Sequence, residues 1–257
     1  FLRNLVVRTA STGEILVILI VNTDDKALLP LMQFIADSFP EITSLNYIIN
    51  PKLNDTYFDL EPVCFKGEAF IIEKLGDYKF KIRPKSFFQT NTKQGERLYN
   101  IVKDFAGLKG NEILYDLYSG VGSIGLFLSD GCKKIVGIEQ IDQAVEDAKE
   151  NAKLNGVENA SFYVGDVRLL LNNEFLNTNE KPDVLITDPP RAGMHSDVVE
   201  TLLQAKIPRI VYVSCNPSTQ ARDLALLDEK YKVIKMQAVD MFPQTVHIEN
   251  VALLELR

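Results

Sequence analysis

The sequence has no tryptophan, only two histidines and only three cysteines in 257 residues. Cys64, Cys132 and Cys215 stand alone, with no C-x-x-C pair, and His195 and His247 are far apart. That excludes a disulfide framework and a Cys/His zinc site, so no metal is expected. A reducing cytoplasm is the setting that fits. Long apolar runs are also missing. The longest, Ile15–Val21, is strand-length, well short of the roughly 18 residues of a membrane span. No signal-peptide pattern is present. The chain opens at Phe1 rather than Met, within a segment that reads as a strand, so a preceding segment is expected. Positive charge is scarce too. The net charge is -7, which argues against a broadly basic nucleic-acid surface. Residues 1–86 hold 10 Lys/Arg against 11 Asp/Glu, so most of the acid lies further on and any basic patch must be local.

The apolar patterning divides the chain in two. In residues 1–86, Leu2–Arg8 and Glu14–Asn22 read as a hairpin around Ser-Thr-Gly. Lys26–Phe39 has helical spacing and stops at Pro40. Ser44–Asn50, Ala69–Leu75 and Tyr78–Ile82 read as strands, the last two joined at Leu-Gly-Asp. This predicts a small α+β domain. In residues 87–257, helix Thr92–Phe105 is followed by alternation. Strands are predicted at Glu112–Tyr118, Lys134–Glu139, Ala160–Val164, Val184–Thr187 and Arg209–Ser214. Helices are predicted at Gly122–Ser129, Gln143–Asn155, Asp197–Gln204 and Pro217–Asp228. Such alternation means βαβ units and a parallel sheet. Lys232–Val239 and His247–Leu256 have no helix between them and close the sheet as an antiparallel hairpin. The expected class is therefore α/β, a doubly wound sheet whose ligands bind beyond the strands' carboxyl ends.

Residues with chemical potential collect at those ends. After the first strand, Gly120, Gly122 and Gly125 form G-x-G-x-x-G, and Glu139 ends the next strand. Glycines permit close backbone approach and an acid can hold a ribose diol, which suits either NAD or S-adenosylmethionine. Asp116, inside the first strand, either orders this loop or approaches the ligand. Asp166 follows the third strand, either as a ligand acceptor or as a helix N-cap. The fourth strand ends in Asp188-Pro189-Pro190. The prolines stop pairing and present Asp188 to the crevice. Arg191 beyond them either binds phosphate or pairs with a surface acid.

The fifth strand ends at Cys215, immediately before Asn216 as N-cap and Pro217 as first helical residue. A thiol there faces the partial positive charge of a helix N-terminus, so the expectation is a favoured thiolate and a nucleophile. Cys64 and Cys132 keep an inert reading. In the last strand Glu249 shares a face with Val251 and Leu253. A carboxylate there needs either a partner, with His247 the obvious one, or a role as general acid/base. Finally, Lys79, Lys81, Arg83 and Lys85 alternate with Phe80 and Ile82. On a strand this places four cations on one face, either a phosphate track or a solvated edge.

The combination resembles one family, the S-adenosylmethionine-dependent RNA (uracil-5-)-methyltransferases acting on 23S rRNA and on the tRNA T-loop. Four motifs carry the resemblance: Phe87–Asn91 (FFQTN), Asp116–Leu128 (DLYSGVGSIGLFL), Asp188–Gly193 with Val211–Leu224, and Met241–Val251 (MFPQTVHIENV). With their spacing they cover residues 80–257. Ser119 is a departure, since relatives often carry Cys there. The resemblance implies a Rossmann-like class I methyltransferase domain. It implies Cys215 as nucleophile and Glu249 as the base that removes the C5 proton. Gln89, Tyr118, Glu139 and Asp188 would line the cofactor and base pocket, with Gly120, Gly122, Ser123 and Asp166 as further members. Residues 1–86 would be the RNA-contacting central domain. The family commonly adds an N-terminal oligonucleotide-binding domain, often with cysteines for an iron–sulfur cluster, and neither is in this sequence. The wording of Val211–Leu224 and Asp240–Glu249 is closer to the rRNA branch, which makes 23S rRNA the favoured partner and tRNA the alternative. An adenine amino-group methylase also uses Asp-Pro-Pro, but with an aromatic where Arg191 stands. That reading, an NAD-linked oxidoreductase and a non-catalytic RNA scaffold all leave Cys215 and Glu249 without a task.

Overall fold

The computed structural model describes all 257 residues, which fall into two compact units, Phe1–Phe87 and Phe88–Arg257.

The first unit begins with β1 (Leu2–Thr9) and β2 (Ile15–Val21), an antiparallel hairpin. Helix α1 (Leu28–Ser38) carries the chain back to β3 (Ser44–Ile49), which pairs parallel with β2. β4 (Val63–Gly67) adds antiparallel to β3, giving the order β1-β2-β3-β4. One face of β2 (Val17, Leu19, Val21) packs on Leu28, Met32 and Ala36 of α1. β5 (Ile71–Leu75) and β6 (Tyr78–Ile82) form a separate ribbon, turning through Gly76 and Asp77. The ribbon is stitched to the β1–β2 turn. The Glu73 carboxylate accepts from Ser11 N at 3.0 Å, and Thr12 Oγ1 donates to Ile72 O at 2.7 Å. The sequence reading has no counterpart of β4. That strand is short and half exposed, with no apolar alternation to reveal it.

The second unit opens with α2 (Thr92–Ala106), capped by Asn91, whose side chain accepts from Gln94 N. There follow β7 (Ile113–Leu117), α3 (Ser123–Phe127), β8 (Lys134–Glu139), α4 (Asp142–Leu154) and β9 (Ala160–Val164). Two short helices follow: α5 (Val167–Leu170), the helix implied by the N-cap alternative for Asp166, and α6 (Asn173–Thr178), which has no counterpart in the sequence reading because it is too short to show helical periodicity. Then come β10 (Val184–Thr187), α7 (Ser196–Ala205), β11 (Arg209–Ser214), α8 (Pro217–Leu227), β12 (Tyr231–Val239) and β13 (Glu249–Leu256). The α/β class is as expected. The seven-stranded sheet runs β12-β13-β11-β10-β7-β8-β9, with β13 alone running against the other strands. Its core, built on Tyr115, Leu117, Leu185, Ile210 and Tyr212, is fully buried.

Two features of this order position the site. The chain leaves β7 in one direction for β8 and β9, and in the other for β10 and β11. The carboxyl ends of β7 and β10 therefore flank the switch point, where open α/β sheets hold ligands. β13 runs antiparallel to β11 with Ser214 opposite Asn250. The inversion brings the amino end of β13 to the same edge as the carboxyl end of β11. Glu249 and Cys215 thus enter the crevice side by side.

Candidate active site

The loop after β7 is held by its neighbours. Gly125 N donates to Asp116 Oδ2 at 2.9 Å, so the carboxylate within β7 fixes the start of α3. That is the loop-ordering alternative for Asp116. Its other oxygen, Oδ1, is buried without a partner, as are Ser119 Oγ and Thr187 Oγ1. Gly122 has φ of +78°, and a Cβ there would lie 3.0 Å from the Phe162 ring and 3.1 Å from Ala148 Cβ. Only glycine fits both the turn and the packing. Tyr118 takes φ of +62° without being glycine, a strained backbone at a strand end of the kind that clusters at functional sites. The Glu139 carboxylate accepts from Gly120 N at 3.0 Å and Ile141 N at 2.9 Å, which fixes it across the loop. Ser123 Oγ is within 2.7 Å of the buried Tyr99 hydroxyl, so its side chain is engaged by α2. Gln89 is buried as well.

Burial pushes the Asp116 carboxyl up to about 7, with the Gly125 bond opposing and Glu139 adding to the rise. A carboxyl raised on folding binds its proton more tightly in the native state. Its stabilising effect is complete below the unfolded value near 3.8 and fades as pH rises towards 7. Asp116→Asn is therefore expected to gain relative to wild type across that window, by about 1–3 kcal/mol. Urea unfolding at pH near 4 and near 8 measures it, and a pH-independent difference would remove Asp116 as the source.

Three carboxyls share the crevice. Asp188, at the end of β10, is raised well above the usual range by burial, then by Glu249 and Asp116. Glu249 is half-buried and is pushed up to about 7 by burial, with Arg191 opposing. Cys215, also half-buried, has its thiol pushed up by burial and then by Glu249, with a hydrogen bond from Arg191 pulling the other way. This corrects the expectation of a favoured thiolate. Asn216 does cap α8, accepting from Ser218 N at 3.1 Å, so one helix N–H is already satisfied. Burial and two nearby carboxylates outweigh what the helix end supplies.

Arg191 does not take the second of its two expected roles, pairing with a surface acid. Its guanidinium lies 2.8 Å from His247 Nδ1, and its charge favours the ionised forms of Cys215 and Glu249. Since Arg only donates, Nδ1 of His247 accepts, and the ring's proton sits on Nε2. His247 thus meets Arg191, and the expected alternative of a Glu249–His247 pair gives way. His247 precedes β13 and does not share a strand face with Glu249. Asp166 is the N-cap of α5, accepting from Arg168 N at 2.9 Å, with Arg168 also 3.4 Å from its second oxygen.

The row of cations is corrected too. β6 ends at Ile82, so only Lys79 and Lys81 lie on the strand. Pro84 cannot extend the pairing, and Arg83 and Lys85 lie beyond it. Lys81 Nζ lies 4.7 Å and Arg83 Cζ 5.9 Å from the Phe70 ring centre. Lys85 pairs with Glu61 at 3.1 Å.

Sequence reasoning missed the residues that brace the pair. Gln220 Nε2 donates to Tyr212 O at 3.0 Å and Asn250 O at 3.2 Å, and Asn250 Nδ2 donates to Gln220 Oε1 at 2.5 Å. This buried amide pair ties α8 to β11 and β13. Its only signal is polarity at positions that patterning would make apolar.

The sequence matches the family profile of tRNA (uracil-5-)-methyltransferase over residues 68–257. An uncharacterized RNA methyltransferase of Bacteroides thetaiotaomicron is 57% identical over 100% of this chain and 57% of that protein. One of Porphyromonas gingivalis is 50% identical over 98% of this chain and 55% of its own length. The chain thus spans a little over half the length of these relatives. Among solved structures, the Pyrococcus abyssi tRNA (uracil-54, C5)-methyltransferase in complex with S-adenosyl-L-homocysteine superposes with a TM-score of 0.81 at 36% identity. The match covers 99% of this chain and 60% of that one. The M. jannaschii tRNA m1G37 methyltransferase, at 15% identity and a TM-score of 0.60, shares the fold. The chain belongs to the tRNA (uracil-5-)-methyltransferase family.

Proposed function

We propose that this chain is the catalytic part of an S-adenosylmethionine-dependent RNA methyltransferase that modifies C5 of a uridine. The observation that carries the reading is the convergence of Cys215 and Glu249, from β11 and β13, at one edge of the crevice. Uracil C5 is a poor nucleophile. Addition of the Cys215 sulfur to C6 turns the ring into an enolate with charge at C5 and O4. C5 is methylated, Glu249 takes the C5 proton, and the electron pair released expels the thiolate and restores the ring. S-adenosylmethionine, when bound, would supply the methyl group from its electrophilic sulfonium, the S–CH3 bond breaking with its electron pair left on sulfur as the neutral thioether S-adenosyl-L-homocysteine. The residues present fit it. The Glu139 carboxylate is fixed across the glycine loop for a ribose diol. The unpartnered Asp116 Oδ1 and Ser119 Oγ stand at the carboxyl end of β7, where a polar ligand would satisfy them. Gln89, Tyr118, Gly120, Gly122, Ser123, Asp166 and Asp188 complete the proposed pocket, Asp188 facing the uracil.

The test is a covalent trap. With full-length protein, S-adenosylmethionine and RNA carrying 5-fluorouridine, a stable protein–RNA adduct is expected, because fluorine cannot be abstracted as a proton. Absence of the adduct, with RNA and cofactor shown to bind, would sink the covalent route.

For substrate, 23S rRNA is favoured by the wording of Val211–Leu224. The tRNA reading is favoured by the likeness to the Pyrococcus abyssi enzyme. Mass spectrometry of rRNA and tRNA from a deletion strain decides by which pool loses 5-methyluridine.

Lys79, Lys81, Arg83 and Lys85 are proposed to meet the RNA backbone. Lys79→Ala with Lys81→Ala is expected to weaken RNA binding and to reduce the slope of log affinity against log salt by roughly 1.4 to 1.8. An unchanged slope removes both from the interface.

A further inference from the structure

The loop that follows β10 is held from Arg191 to Met194 by α8 and its N-cap. Asn216 Nδ2 and Thr219 Oγ1 each donate to Arg191 O at 3.1 Å. Arg222 Nη2 donates to Ala192 O at 2.9 Å and Met194 O at 3.3 Å. Met194 N donates to Asp223 Oδ2 at 2.8 Å, and the Tyr212 hydroxyl of β11 donates to the same oxygen at 2.7 Å. Arg222 closes the set with two bonds to Asp223 Oδ1, at 2.9 Å from Nε and 2.7 Å from Nη2. The Asp223 side chain is fully buried, while Arg222 is half exposed. The loop lies so close that a Cβ on Gly193, at φ of +78°, would stand 2.6 Å from both Arg222 Nη2 and Asp223 Oδ2. A buried carboxylate with every partner supplied by one loop, one strand and its own neighbour is a rigid joint, not incidental packing.

We propose that Arg222 and Asp223 are positioning residues that lock the Arg191 loop against the turn bearing Cys215. The Arg191 guanidinium then stays beside the thiol and Glu249. The joint ties three segments: the loop after β10, the carboxyl end of β11 through Tyr212, and α8, which begins just past Cys215. Arg191 reaches a fourth through His247, two residues before Glu249. Freed from the joint, the guanidinium leaves the thiol with two carboxyls and no cation. The functional meaning rests on Cys215 as the nucleophile, but the joint itself is measurable without turnover.

The test is the pH dependence of Cys215 alkylation by iodoacetamide in full-length protein, followed by mass spectrometry of the Cys215 peptide. Arg222→Gln and Asp223→Asn are compared with wild type, with thermal melts recorded on each. Both variants are expected to shift the alkylation curve to higher pH. At pH near 8 the rate falls by roughly threefold, since only the thiolate reacts. A role confined to stability lowers the melting temperature and leaves the curve where it was, and that result overturns the proposal. If Asp223→Asn fails to fold, the half-exposed Arg222 position decides alone. Failure of methyl transfer in wild type with the curve shifted in the variants refutes the function and leaves the joint standing. The reverse pattern refutes the joint alone.

Discussion

Cys215→Ala is expected to abolish methyl transfer, by roughly four orders of magnitude or more, and to abolish the 5-fluorouridine adduct with it. Nothing else in the crevice can raise the electron density at C5. Cys132 is buried just before the amino end of β8, and Cys64 lies in the other unit. RNA affinity measured by filter binding should stay within about threefold of wild type, because one side-chain atom is lost and no phosphate contact is. Retention of activity in the alanine variant would place the nucleophile elsewhere. The environment of the thiol adds a second expectation. Burial, Glu249 and Asp188 hold it above the usual thiol range against Arg191. The alkylation rate of the free protein should therefore keep rising with pH beyond 9 instead of levelling near neutrality.

Glu249→Gln is expected to separate the two halves of the reaction. Adduct formation should continue while its resolution stalls, so a covalent complex accumulates on ordinary RNA and turnover falls by about 10²–10⁴-fold. The variant also removes the charge that most raises the thiol after burial. The Cys215 alkylation curve should accordingly move to lower pH, opposite to the shift expected from disturbing the Arg222–Asp223 joint. In the wild type the base must be ionised, and its carboxyl sits at about 7. The deprotonation step should therefore rise with pH through about 7 and flatten above it. Pulse-chase resolution of a preformed adduct at several pH values isolates that step. A glutamine variant that turns over at the wild-type rate would remove Glu249 as the base.

Much of this architecture was legible one residue at a time. β6, β8, β9, β10 and β11 have the limits that apolar runs and turn residues assign them. Strand ends follow from local chemistry: proline cannot donate to a ladder, and Asn216 and Pro217 suit the N-cap and first position of the helix that follows. The glycine loop, Asp188, Cys215 and Glu249 could be picked out for the same reason, since each breaks or ends a pattern. β4 and α6 were invisible because they are too short for a period to register, and α5 was signalled only by its cap, Asp166.

Electrostatics was the part that local reading missed. Beside Cys215 the sequence shows a helix start, which favours thiolate, and it does not show how near Glu249 and Asp188 come. Those neighbours arrive because β13 inverts and lies against β11, a pairing that depends on the whole sheet. Arg191 stays exposed, and only the fold shows that its guanidinium meets His247 and acts on Cys215 and Glu249. The sequence by itself determined which groups were available and at which strand ends they stand. The tertiary structure decided which groups share a crevice, and so whether the thiol, the base and the buried acids hold their protons. A residue's charge state depends on everything within a few ångströms, and chain order does not encode that distance.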